Sequence, residues 1–249
     1  MIQLDGVTKW YGPTLAVDGV SFTVKVGDVV GFLGPNGAGK STVLKMVSTW
    51  LPPSAGRIAV GGHDVEKEPL AVRRVLGYLP EHNALYDGMK VAALLRFVGR
   101  MRGLGGARLA ERTAWVVEKC GLDAVMGKRI HQCSKGYRQR IGLAASLIHD
   151  PPVIVLDEPT HGFDPVQVVA FRSFIRELRE GRTILFSSHV LAEVTAVSDR
   201  ILVINEGRIL ADAPVAELTA RASAAGGSLE DLLLDIVRAS GGKPAEVKP

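Results

Sequence analysis

The chain has 249 residues, 47% of them apolar, enough for one large hydrophobic core or two small ones. Its formal net charge of +4 is spread without a dense basic run, which argues against a nucleic-acid-binding tail. Two cysteines, Cys120 and Cys133, are too few for a disulfide framework and suggest a reducing compartment; no apolar run reaches the length of a membrane span, and residue 1 leads into polar, strand-like sequence with no apolar leader.

Residues 1–9 and 20–26 alternate apolar and polar positions and predict short strands, expected to form an antiparallel edge beside the strand that follows. Trp10-Tyr11-Gly12 falls between them. An exposed Tyr11 would offer a π-face for stacking a base, whereas a buried one would complete the local core; the pattern leaves both open. Val29-Val30-Gly31-Phe32-Leu33 reads as a buried strand, and residues 40–51 as a helix with Val43, Leu44, Val47 and Leu51 on one face. Between them, Gly34-Pro35-Asn36-Gly37-Ala38-Gly39-Lys40-Ser41-Thr42 fits the phosphate-loop pattern G-x-x-x-x-G-K-[ST]. Small residues let backbone N–H groups curl around phosphate oxygens, and the helix N-terminus adds partial positive charge. Lys40 can reach β- and γ-phosphates, while Ser41 can set a hydroxyl on Mg2+. Strand, loop and helix in this register predict a site for a nucleoside triphosphate.

Residues 57–60 read as a strand before the turn Gly61-Gly62, residues 70–75 as a short helix, and residues 76–79 as a strand ending at Pro80-Glu81. Glu81 is either a solvated loop acid or a carboxylate placed by a strand end to meet Mg2+ or its water. From residue 90 to 147 the texture becomes helical, with periodic stretches at 91–101, 109–120 and 138–148, predicting a helical insertion in an α/β body. Ser134-Lys135-Gly136-Tyr137-Arg138-Gln139-Arg140 reads either as a capped helix start or as an anion site at a helix N-terminus.

Val153-Ile154-Val155-Leu156-Asp157-Glu158 is an apolar run ending in two acids, the pattern of a buried parallel strand with carboxylates at its C-terminal edge. Strand alternation would send Asp157 toward a magnesium shell and Glu158 toward attacking water. Thr160-His161-Gly162-Phe163-Asp164-Pro165 turns into an amphipathic helix over 166–180, and a strand over 183–188 delivers His189, either structural or bonded to a γ-phosphate. Residues 200–204 and 208–211, around Asn205-Glu206-Gly207, predict a hairpin. After Pro214, residues 221–228 read as a linker, 229–237 as a short helix and 241–249 as disordered.

In this order the motifs resemble the nucleotide-binding subunit of ABC transporters over about residues 2–220. Residues 34–42 match its Walker A motif and 153–158 its Walker B motif. Residues 134–138 look like the signature, Phe163-Asp164-Pro165 like the D-loop, His189 like the switch histidine and Tyr11 like the adenine-stacking aromatic. Glu81 stands where the Q-loop usually carries Gln; with residues 134–140 it is similar to bacterial ABC-2-type exporter ATPases, especially the gliding-motility-associated type. Three positions depart from the family pattern: Cys133 for Leu, His161 for Asn, Ser or Thr, and Phe163 for Leu.

The resemblance implies an α/β P-loop NTPase fold with a mainly parallel core sheet, an antiparallel N-terminal β subdomain and an inserted α-helical subdomain at about 88–150. These would form one ATP-binding domain over 1–220, with linker, terminal helix and tail over 221–249. It implies hydrolysis of MgATP in a head-to-tail dimer, each ATP lying between one subunit's Walker motifs and the other's signature. Tyr11 and residues 34–42 would bind the nucleotide in cis; Ser134, Lys135, Gly136, Tyr137 and Asp164 would face the partner's. Ser41, Glu81 and Asp157 would surround Mg2+, with Lys40, Glu158 and His189 catalytic. The implied partners are a second such subunit and membrane permease subunits at the cytoplasmic face, without direct nucleic-acid contact. A soluble ABC-type ATPase acting on ribosomes or nucleic acid is the alternative; such relatives usually carry two nucleotide domains or a long coiled coil, and neither is present. A P-loop kinase would leave residues 134–140 and His189 unexplained.

Overall fold

Alternation along one five-residue strand divides the interior. In β3 (Val29–Leu33) every residue is buried, with Val29 and Leu33 facing one apolar cluster and Val30 and Phe32 the other. Gly31 shares the first face because helix α7 (Leu191–Val197) crosses there: a Cβ on Gly31 would lie 2.2 Å from Val194 Cγ1. The computed structural model describes residues 1–239, so the tail expected over 241–249 lies outside the described residues.

β3 is central to a six-stranded sheet. Its neighbours are β8 (Thr183–Ser188) and β9 (Arg200–Asn205); β7 (Val153–Asp157) and β6 (Leu76–Leu79) continue beyond β8, all parallel. Only β10 (Arg208–Pro214) runs antiparallel, joined to β9 by the expected hairpin, with Glu206 and Gly207 both at positive φ as a tight primed turn requires.

The N-terminal strands do not sit beside β3 as expected, because both edges of β3 are hydrogen-bonded to β8 and β9. They build a separate antiparallel sheet, ordered β2 (Thr14–Val24), β1 (Ile2–Tyr11), β4 (Ala55–Val60) and β5 (His63–Asp64). Both long strands exceed their predicted lengths. Register shifts between Leu4 and Trp10, with Gly6 and Gly19 at positive φ, break the two-residue alternation that sequence reading relies on.

Helix α1 (Lys40–Val47) stops short of the predicted residue 51, since Thr49 takes φ 63° and turns the chain away. Arg73 of α2 (Pro69–Val75) fixes that turn, its Nε–H donating to Thr49 Oγ1 at 2.7 Å. The insertion contains α3 (Val91–Met101), α4 (Gly106–Lys119) and α5 (Lys135–Leu147), whose Leu95, Val116 and Ile141 are fully buried in the same cluster as Val29. Helix α6 (Pro165–Leu178) precedes β8. The stretch read as a linker is partly helical: α8 (Val215–Ala224) crosses residue 220, and α9 (Leu229–Ala239) follows. Leu218 and Leu233 join the main core, so these helices dock on the domain instead of trailing from it.

Candidate functional site

Parallel strands deliver their C-terminal ends to one edge, where ligands of open α/β sheets bind. Here that edge collects the loop after β3, the acids at the end of β7 and the histidine after β8. The loop depends on missing side chains. A Cβ on Gly34 would lie 2.3 Å from the Ile204 carbonyl oxygen; Gly39, at φ 105°, would bring one to 2.8 Å from the Ala16 carbonyl oxygen. The loop is therefore held between the end of β9 and strand β2, and larger residues would push it out.

Lys40 is 5% exposed. Its Nζ donates to the carbonyls of Gly34 at 2.6 Å and Pro35 at 3.1 Å, and lies 3.7 Å from Glu158 Oε1. Burial pulls the ammonium below its usual lysine range, with the charges of Glu158 and Asp157 opposing the shift. Ser41 Oγ donates to Asp157 Oδ1 at 3.2 Å, and Ser187 Oγ donates to the same oxygen at 2.6 Å. Burial raises the Asp157 carboxyl, while these two hydroxyls favour its charged form. Asp157 Oδ2 and Glu158 Oε1 are buried without a hydrogen-bond partner. That donor set fits Mg2+, which takes one or two carboxylates together with phosphate and water oxygens. Among the described residues, no group of three or more His, Cys, Asp or Glu is placed to hold a metal ion.

Glu158 diverges from Asp157 for a reason other than strand alternation. The strand ends at Asp157, and Glu158 takes φ 47°, a left-handed conformation uncommon outside glycine. Its N–H donates to Ser187 Oγ at 2.9 Å, and its Oε2 lies 3.0 Å from His189 Nδ1. A cavity of about 350 Å3 opens between the two sides of the site. Pro35, Asn36, Gly37, Lys40 and Ser41 wall one side; Glu81, Glu158, His161 and His189 wall the other. Gly34, Ala38, Gly39 and Thr42 complete the loop behind the first wall.

The remaining candidates lie outside that wall. Tyr11 is 45% exposed at the end of β1, which removes the core-tyrosine reading and leaves its ring accessible. Ser134 caps α5, its Oγ accepting the Tyr137 N–H at 3.4 Å, and Asp164 caps α6 through the Gln167 N–H at 2.8 Å. Lys135 packs against Gly162, and Gly136 faces Gln167, so the start of α5 and the turn before α6 support each other outside the cavity wall. Sequence reading missed Ser187, which links the two acids, and gave no role to His161. The only signal for Ser187 was an apolar strand ending in two serines.

The ABC transporter family model matches residues 17–161, more than half of the chain. The chain belongs to the ABC transporter family. The ABC transporter ATP-binding protein NatA of Bacillus subtilis (strain 168) is 42% identical over 197 residues, 78% of this chain and 80% of that protein. The daunorubicin resistance ATP-binding protein DrrA3 of Streptomyces coeruleorubidus is 41% identical over 94% of this chain and 73% of its own length. Among solved structures, an ATP-binding subunit of an ABC transporter superposes with TM-score 0.87 at 26% identity, covering 95% of this chain and 99% of that one. The P-loop fold with its parallel sheet and antiparallel strands is that of this family. The chain is thus an ATP-binding subunit whose enzymatic class is ATP hydrolysis coupled to transport.

Proposed function

We propose that this ABC subunit hydrolyses MgATP as half of a head-to-tail dimer and drives an exporter permease. One observation carries the reading: the Walker residues and His189 converge on a single cavity, while Ser134 and Gly136 sit outside its wall. A signature that does not reach its own nucleotide is explained if it closes over a partner's, each surface being used twice by two-fold symmetry. The ATP-binding domain in this reading spans about 1–220, the helical insertion at about 88–150 included, with the remaining helical segment docked on its core.

In this reading Lys40 holds the transferring phosphate. Ser41 and Asp157, with Glu81 at the rim, would hold Mg2+, which would supply charge neutralisation on the phosphates. Glu158 accepts a proton from attacking water, and His189 orients that carboxylate through Nδ1 while its other ring nitrogen is left for a phosphate oxygen. Tyr11 stacks on the base. Export as the direction rests on the resistance-type relatives: besides DrrA3, a linearmycin resistance ATP-binding protein of Bacillus subtilis is 36% identical over 222 residues. The finer likeness of residues 134–140 to the gliding-motility-associated type rests on sequence alone. No helix among the described residues is long and apolar enough to cross a membrane, so attachment to the cytoplasmic face would run through permease subunits.

Phosphate release by the purified chain with its permease tests the site. Glu158→Gln is expected to keep ATP binding and lose turnover by about 10^2-fold or more, the usual range for a general base. Turnover equal to wild type would remove Glu158 from the mechanism.

A further inference from the structure

Helix α5 begins at the signature and, one turn later, reaches the backbone of the reactive acid. Gln139 is 6% exposed, and its Nε2–H group is shared between the carbonyl oxygens of Glu158 at 3.4 Å and Pro159 at 3.3 Å. Those carbonyls are the one that Glu158 itself carries, at φ 47°, and the next along the chain; on its N-terminal side the Glu158 N–H is held by Ser187. The Glu158 carbonyl also accepts the His161 N–H at 3.1 Å. The orientation of the Glu158 carboxylate therefore depends on three backbone ties, one of them supplied by the signature helix. The same helix touches the segment after Glu81: Asn83 Nδ2 donates to the Arg138 carbonyl at 3.2 Å, and the Asn83 amide occupies the space that a Cβ on Gly142 would take.

We propose that Gln139 is a positioning residue that couples the N-terminal end of α5 to Glu158, so that engagement of Ser134 and Gly136 sets the aim of the same subunit's catalytic carboxylate. This rests on the sandwich reading above. Glu158 occupies a backbone conformation that most side chains avoid, so small movements of its carbonyl tie rotate the carboxylate relative to Lys40 and His189. A rigid helix with a capped end is suited to pass such a movement along its axis. Each subunit's acid would then be armed only when that subunit's signature is occupied, which links the two sites of the dimer without requiring contact between the two nucleotides.

The test uses the full chain with its permease. Gln139→Met keeps length and volume but removes the donor. It is expected to lower kcat at least tenfold, with KM for ATP within twofold of wild type and ATP-driven dimerisation intact in a Glu158→Gln background. Gln139→Glu keeps the shape but faces two carbonyls with an acceptor until it is protonated. Its rate, divided by that of wild type at the same pH, is expected to rise as pH falls from 8.5 to 6, because the protonated carboxyl regains a donor. A Gln139→Met rate within twofold of wild type overturns the proposal. So does a loss of rate matched by equal loss of ATP affinity or dimerisation, which marks Gln139 as packing only, or a flat relative pH profile for Gln139→Glu. Failure of the underlying site reading looks different: Glu158→Gln itself would turn over normally.

Discussion

Adjacent acids at the end of β7 live in different surroundings. Asp157 is 1% exposed and held by two hydroxyls, while Glu158 contacts Lys40 and His189 and lines the cavity. Their placement at a strand end was legible in the sequence, because an apolar run ending in two acids after a phosphate loop has few other readings. Their divergence was not: it comes from a positive φ at a non-glycine residue, which no residue pattern announces. Ser187 was equally hidden, since a serine at a strand end carries no motif until the fold brings it under Asp157 and Glu158. At Tyr11 exposure resolves what pattern could not, and a measurable consequence follows. If the ring stacks on the base, Tyr11→Ala removes about 1–3 kcal/mol and raises the ATP dissociation constant about 5- to 150-fold. A binding titration showing no change would assign the exposed ring another role.

Elements with unbroken patterns appeared where the sequence put them. Strand β6 and helix α3 match the predicted 76–79 and 91–101, because a short buried run and an amphipathic period are local signals. The starts of β2 and the end of α1 were misplaced because bulges and Thr49 at φ 63° are settled by packing. A pH-dependent weakness belongs to this scale. His149, just after α5, sets Nε2 3.2 Å from the Leu76 carbonyl oxygen, while its Nδ1 is buried without a partner. Burial, then the positive charge of Arg102, lower its pKa to about 4 from 6.5. The unfolded chain therefore binds a proton between pH 6.5 and 4 that the folded chain refuses, so stability present above pH 6.5 is lost as pH falls through that window. The loss from this one group is about 2 kcal/mol between pH 7.5 and 5. Denaturant titrations of wild type and His149→Gln check it: the difference in their stability should shift by that amount across the two pH values. Parallel curves would contradict a neutral, desolvated His149.

Across the whole molecule, two sheets and a helical insertion arrange one group of candidate nucleotide contacts around a cavity and a second group, Ser134, Gly136 and Asp164, outside it. The order of motifs made the family legible; the placement of Ser134 outside the cavity became visible only once α5 was folded against α6 and the turn before it. A site divided in this way is complete only when two chains meet, so nucleotide should control association. Light scattering of purified Glu158→Gln, with and without MgATP, measures that directly. The account predicts the mass of one chain without nucleotide and twice that mass with MgATP, reversed when Ser134 is also replaced by Arg. A mass that stays at one chain while a separate titration shows ATP bound would contradict the sandwich.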